Sequence, residues 1–130
     1  MTPQVLVVDD AATVRLYHRN LLAAAGFEVS EAINGLEAVE SASTTDFDLF
    51  LVDVNMPTMD GYACVRALRA ESIATTAPIV MISTEDQVED ADRAYAAGAN
   101  LYLVKPVKGD RLVRMVGILT RPDVPLDAAP

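Results

Sequence analysis

Apolar residues fall into two alternating patterns along the chain. Short apolar-rich runs, Val5 to Val8, Phe27 to Ala32, Leu49 to Val52, Ile79 to Ile82 and Leu101 to Val104, read as strands. Longer segments between them carry apolar residues at helical spacing. The first has Val14, Tyr17, Leu21 and Leu22, then Gly26 where a C-cap glycine belongs. Similar segments begin near Leu36, Tyr62, Val88 and Lys108, and Gly117 weakens the last turns of the fifth. The predicted order is strand then helix, five times over.

Strands that alternate with helices imply a parallel sheet, because each crossover must bring the chain back to the same end. Right-handed crossovers place helices on both faces. The runs "VLVV", "LFLV" and "IVMI" have no polar alternation, as expected of central strands covered twice. The last ten residues, "RPDVPLDAAP", hold three prolines and no periodicity, which predicts a loose tail over 121–130 after a single domain over 1–120.

Composition narrows the class. A chain of 130 residues, 52% hydrophobic and 22% charged, has enough apolar material for one core without staples. The formal charge of -9 argues against a basic surface for nucleic acid and favours basic protein partners. Cys64 stands alone, so no internal disulfide is available; it reads as a small packed residue in a reducing compartment. Neither a charged-then-apolar leader nor a run of about 18 apolar residues occurs, so a cytoplasmic protein without a membrane span is expected.

The chemistry collects at one end of the predicted sheet. In a parallel α/β sheet, ligands bind beyond the carboxyl ends of the strands. There the first strand ends in Asp9 and Asp10, the third in Asp53, the fourth in Ser83 and Thr84, and the fifth in Lys105 and Pro106. Three neighbouring carboxylates repel unless a cation is shared among them, and an oxygen-only donor set suits Mg²⁺. Zinc is disfavoured, since the only histidine, His18, is predicted inside the first helix, away from this rim. Lysine is scarce, two against eight arginines, and one of the two closes the fifth strand, where it would hold a phosphoryl group or pair with a carboxylate.

Plainer explanations exist for some of these residues. Asp10 or Thr13 would serve as a helix N-cap, and Asp60 in "TMDG" reads as a turn or cap residue. A carboxylate directly after "LFLV" is harder to explain that way. Asp53 therefore reads as a metal ligand, and beyond that as a nucleophile able to form an aspartyl phosphate.

At these residues the chain resembles the receiver domain of bacterial two-component response regulators, most closely the stand-alone chemotaxis type. "VVDD", "LVDVNMPTMDG", "PIVMIST" and "YLVKP" stand in that family's order and spacing, from about Gln4 to Thr120. The resemblance implies a flavodoxin-like, doubly wound five-stranded parallel sheet, order 2-1-3-4-5, with five helices. It implies phosphoryl transfer from a phosphohistidine on a sensor histidine kinase to Asp53. Asp10, Asp53 and the backbone carbonyl of Asn55 would bind Mg²⁺, with Asp9 assisting. Lys105 and the Ser83 hydroxyl would contact the phosphoryl oxygens. Movement of that hydroxyl would be coupled to burial of Tyr102, with the signal appearing on the face of the fourth helix, fifth strand and fifth helix. The Lys105-Pro106 peptide is similar to the family's cis bond.

Some positions depart from the family's commonest pattern. Thr84 stands where a smaller residue is usual, and Val107 where Phe is frequent. Asn55 and Glu85 occupy positions that tune hydrolysis of the acyl phosphate, and the pair resembles fast-decaying chemotaxis members, so a short-lived phosphoryl group is expected. Thr84 would restrict access of water or donor.

Other classes fit less well. A phosphatase of the haloacid-dehalogenase type wants a second Asp two residues after the nucleophile, where this chain has Asn55. The first strand-helix turn, "DDAATVR", has neither a glycine fingerprint nor a P-loop for a nucleotide. A docking module that never turns over phosphate is opposed by the intact set of Asp9, Asp10, Asp53, Ser83 and Lys105. Output by contact with a motor component or kinase, a phosphate sink and a phosphorelay intermediate all stay open, as does a monomer or weak dimer. His18, Arg15 and Arg19 are expected to be ordinary residues of the first helix, the arginines facing solvent. The acidic run Glu85, Asp86, Glu89, Asp90 and Asp92 is expected to be a solvated face.

Overall fold

A computed structural model describes residues 2–70, 74 and 76–120. The predicted loose tail lies outside the described residues. Elements alternate as β1 (Gln4–Val8), α1 (Ala12–Ala24), β2 (Glu28–Ala32), α2 (Gly35–Thr44), β3 (Leu49–Asp53), α3 (Gly61–Ala70), β4 (Ile79–Ser83), α4 (Val88–Ala97), β5 (Leu101–Val104) and α5 (Gly109–Thr120). The strands form one parallel sheet in the order β2-β1-β3-β4-β5.

Burial follows strand position. In β3 and β4 every residue is buried, as is β1 from Val5 to Val8, because helices cover both faces of the sheet centre. The edge strand β2 alternates in exposure instead, and β5 ends in an exposed Val104. Two cores result. One face packs Leu6, Phe50, Val52 and Met81 under α2, α3 and α4, through Ala38, Val65, Leu68 and Ala94. The other packs Val5, Val7, Leu51 and Ile82 under α1 and α5, through Leu22, Leu112 and Val116. Cys64 is fully buried in the first core, and burial pushes its thiol up to about 12, which makes it an inert packing residue as expected.

Helix ends carry local signals. Asn34 caps α2 by accepting the Glu37 amide at 2.8 Å, while the Glu37 side chain accepts the Ile33 amide. Gln87 and Asp90 close a capping box at the start of α4. Gly26 follows α1 at φ +99°, the left-handed conformation its position predicted. The helix α5 runs unbroken through Gly117 to Thr120, because Leu112 and Val116 bury its apolar face and outweigh the glycine's entropy cost.

Arg69 is a tertiary staple that periodicity does not reveal. Its guanidinium donates to the carbonyls of Gly98, Ala74 and Ala77 at 3.1, 2.6 and 2.9 Å and to Asn100 Oδ1 at 2.8 Å. Asn100 Oδ1 in turn accepts the Ile79 amide. One side chain thus joins the end of α4, the approach to β4 and the approach to β5. Arg69→Met keeps the stem but leaves those carbonyls without their donor. The expected cost is about 1–2 kcal/mol, read as a lower urea midpoint at unchanged slope.

Candidate functional site

The carboxyl ends of β1, β3, β4 and β5 meet at one rim, and the residues singled out in the sequence meet there. Asp9 follows β1 and is 2% exposed; Asp53 ends β3 and is 4% exposed. Asp10 is exposed beside them. A carboxylate oxygen from each of the three lies within 4.8 Å of the others.

The proposed capping role for Asp10 is not what the chain does. The residue before α1 is Ala11, and no side chain caps that helix; Asp9 Oδ1 takes the Ala11 amide at 2.9 Å instead. Asp10 is therefore left to the cluster. Asp60, by contrast, is the predicted cap: its Oδ1 accepts the Ala63 amide at 2.9 Å.

Lys105 reaches across from the end of β5. Its Nζ donates to Asp53 Oδ1 at 2.9 Å and lies 3.9 Å from Asp9 Oδ2. The Lys105 amide donates to the Ser83 carbonyl at 2.7 Å, and the Lys105-Pro106 peptide is cis, as the sequence resemblance implied. Ser83 is fully buried, and its Oγ accepts the Glu85 amide at 3.0 Å. Thr84, Glu85 and Asn55 are exposed around the opening. Tyr102 is half-buried on β5 and donates its hydroxyl to the Glu85 carbonyl at 2.7 Å.

Electrostatics at the rim are unfavourable for bare carboxylates. Burial pushes the Asp53 pKa up; the hydrogen bond from Lys105 opposes this, and the charges of Asp9 and Asp10 add to it. One lysine does not balance three acids. Asp9 Oδ2 is buried without a hydrogen-bond partner among the described residues. An orphaned carboxylate oxygen beside two further carboxylates, with oxygen donors only, is a site that a hard divalent cation fits.

One of the two α1 arginines differs from expectation. Arg15 does not face solvent: its Nε pairs with Glu31 Oε1 at 2.9 Å, and a second guanidinium nitrogen donates to the Asp9 carbonyl at 2.8 Å. It ties β2 to the end of β1 under the cluster, a tertiary role that its helical position alone cannot announce. Arg19 is the more exposed partner of the same Glu31, at 3.4 Å.

His18 is not remote from the rim in electrostatic terms. It is 6% exposed, and its pKa is lowered first by burial and then by the charge of Lys105, with Asp9 opposing. It is neutral in the fold. Since its folded pKa lies below the unfolded value of about 6.5, the stability it allows is complete above that pH and is lost as pH falls toward the folded value. Wild type should therefore lose urea resistance from pH 7.5 to 5.5 more steeply than His18→Leu. The excess slope is at most about 1.4 kcal/mol per pH unit, and equal slopes would contradict this reading.

Beside the rim, a cleft of about 430 Å³ opens between the β3–α3 loop and α4, lined by Asn55, Met56, Tyr62, Glu85, Asp90 and Arg93. Tyr62 is the residue the sequence reading passed over. It sits at helical spacing like any core aromatic, and nothing local shows that its hydroxyl leaves α3 to reach α4.

The response regulator receiver domain family matches residues 5–117. The chain belongs to that family. The receiver fold is repeated closely in the chemotaxis protein CheY4 of Vibrio cholerae, with a TM-score of 0.87 at 36% identity, over 92% of this chain and 99% of that one. The receiver domain of the sensor histidine kinase PA1611 from Pseudomonas aeruginosa, with a magnesium ion coordinated in its active site cleft, superposes with a TM-score of 0.85 at 28% identity, covering 92% and 98% of the two chains. Among curated relatives, the transcriptional regulatory protein PrrA of Mycobacterium leprae is 42% identical over 120 residues, 92% of this chain. This receiver domain spans about half of that relative's length, 51%. The chemotaxis protein CheY of Bacillus subtilis is 37% identical over 117 residues, 89% of this chain and 96% of that protein. Among the described residues, no helix is long and apolar enough to cross a membrane.

Proposed function

We propose that this receiver domain accepts a phosphoryl group on Asp53 from a histidine kinase, with Mg²⁺ held at the rim, and signals by protein contact. The observation that carries the reading is the buried Asp9 Oδ2 with no hydrogen-bond partner among the described residues, beside two further carboxylates and one lysine where four strands end.

Asp9, Asp10 and Asp53, with the backbone carbonyl of Asn55, would hold the Mg²⁺. Bound there, the ion would offset the charge of the carboxylates and of the incoming phosphoryl oxygens. One carboxylate oxygen of Asp53 attacks phosphorus as the bond to the donor imidazole breaks, and the leaving nitrogen keeps the electron pair. Lys105, already 2.9 Å from Asp53, exchanges part of that ion pair for a phosphoryl oxygen. The Ser83 hydroxyl donates to another. These roles belong to the chain's own catalysis of its phosphorylation and dephosphorylation, and the protein is a phosphoacceptor rather than an enzyme acting on a separate substrate.

Output would pass through the α4–β5–α5 face, where Val88, Tyr95 and Val104 are exposed apolar residues. A downstream target on this face, in a chemotaxis or related two-component pathway of the cytoplasm, fits the similarity to CheY. Relay and phosphate-sink roles use the same chemistry.

Site mapping tests the reading. Treated with Mg²⁺ and acetyl phosphate and then with borohydride, the protein should carry homoserine in the peptide containing Asp53 and nowhere else. Reduction at another residue, or none at early times, would contradict it. The exposed Asn55 and Glu85 leave water a path to the acyl phosphate, so its decay should be complete within a few minutes, and steady decay over many minutes would count against their tuning role.

A further inference from the structure

Tyr62 is the second residue of α3, 3% exposed, and it does not end within its own core. Its hydroxyl donates to the Asp90 carbonyl in the first turn of α4, at 3.1 Å. The Arg93 guanidinium stacks over its ring at 4.2 Å, which holds the ring from the α4 side. Tyr102 packs against the core cluster to which Tyr62 belongs, so the two tyrosines share one side of the sheet.

The other end of this connection is fixed. Gly61, next to Tyr62, donates its amide to the Val54 carbonyl at 2.9 Å. There is no room for a side chain at that contact, since a Cβ on Gly61 would collide with the Asp53 carbonyl oxygen and lie 2.8 Å from Val54 Cα. The start of α3 is therefore seated on the strand that carries Asp53. From Asp53 through Gly61 and Tyr62 to Asp90, every link is a backbone contact or a part-buried hydrogen bond.

The segment from Ser83 to Asp90 is thus held at three points. Ser83 Oγ accepts the Glu85 amide, the Tyr102 hydroxyl donates to the Glu85 carbonyl, and the Tyr62 hydroxyl donates to the Asp90 carbonyl. The first two belong to the hydroxyl and aromatic already assigned to the switch. The third comes from α3 and refers the position of α4 to the nucleophile strand.

We propose that Tyr62 is a positioning residue of the switch, whose hydroxyl ties the first turn of α4 to the strand bearing Asp53. Burial pushes the Tyr62 hydroxyl up to about 12, so it remains a donor across the working pH range. The functional consequence rests on the phosphoacceptor reading; the tie itself does not.

Tyr62→Phe keeps the ring under Arg93 and removes only the hydroxyl, so hydrogen exchange on the full, unphosphorylated chain isolates the tie. Amides in the first turns of α4 should exchange about two- to tenfold faster, the range one ordinary hydrogen bond supports, while β1 and α5 keep their wild-type rates. A fluorotyrosine label at position 102 should shift in the same variant. A uniform rise across the fold, or unchanged α4 rates, would overturn the proposal. So would a change seen only in Tyr62→Leu, which would assign the effect to the ring and not to the hydroxyl. Adding Mg²⁺ and acetyl phosphate then separates the two claims: absence of any phosphoryl uptake in wild type bears on Asp53, and the exchange result stands on its own.

Discussion

Asp53→Asn is expected to abolish phosphoryl uptake and, in metal-free buffer at neutral pH, to raise the thermal midpoint. The two effects have one cause. Asp53 is 4% exposed, and burial, with Asp9 and Asp10 nearby, raises its pKa above the unfolded value despite the bond from Lys105. Between the unfolded value of about 3.9 and the raised folded value, the folded chain holds a proton that the unfolded chain has released. Stability therefore falls as pH rises through that window, and the penalty is complete above it. A neutral amide of the same shape escapes the penalty and also loses the nucleophile. Mg²⁺ should reverse the ranking, since a ligand at a hundred times its dissociation constant stabilises the fold by about 2.7 kcal/mol and the variant would lack one of the proposed carboxylate ligands. Thermal unfolding of both proteins, with EDTA and with Mg²⁺, checks all four values. A variant less stable than wild type in EDTA would show that the Lys105 ion pair outweighs the burial cost.

Gly61→Val should be the most damaging single change outside the cluster. The added side chain meets backbone at the end of β3 and just beyond it, the Asp53 carbonyl and Val54 Cα, along with the Met81 side chain. Flexible side chains yield cheaply, as Met59 would beside Gly35, but the backbone of a central strand paired on both sides does not. The expected loss is about 3 kcal/mol in urea unfolding. Because relief requires moving the residues that carry and follow Asp53, the folded fraction of the variant should also take up phosphoryl more slowly. A variant as stable as wild type would mean that α3 can lift from the strand without cost, which would remove one anchor of the Tyr62 tie as well.

What the sequence disclosed and what it withheld divide along a physical line. The runs "VLVV", "LFLV" and "IVMI" became the three central strands because burial on both faces leaves no polar position, and that pattern is local. The rim was equally legible, since a parallel sheet brings all its strand ends to one side and Asp9, Asp53, Ser83 and Lys105 each end or directly follow a strand. The resemblance to receiver domains added the strand order, which periodicity alone leaves open. Arg15, His18, Tyr62 and Arg69 were not legible. Each lies at an ordinary helical position, and its role depends on a partner that only the fold supplies: Glu31 and the Asp9 carbonyl for Arg15, Asp90 for Tyr62, Gly98 and Asn100 for Arg69. The capping role considered for Asp10 was a local reading of the same kind, and it failed because α1 starts at Ala12, with Ala11 in the N-cap position.

The exposed acidic run behaves as its composition suggested, with one exception. Glu85, Asp86, Glu89 and Asp92 are exposed, whereas Asp90 is partly buried and works twice, closing the capping box of α4 through its side chain and receiving Tyr62 through its carbonyl. The start of α4 is thereby held in place by groups of three kinds. On the proposed function, a helix pinned at its first turn and exposed along Val88 and Tyr95 would pass a displacement at the rim to a partner surface.

The central claim is that Asp53 takes a phosphoryl group in a Mg²⁺-dependent reaction, and intact mass tests it most directly. Wild type incubated with Mg²⁺ and acetyl phosphate, and quenched at early times, should gain the mass of one phosphoryl group, while Asp53→Asn and wild type in EDTA should gain none. Equal gain in either control, or no gain in wild type at the earliest quench, would contradict the account and leave the rim as part of a docking module.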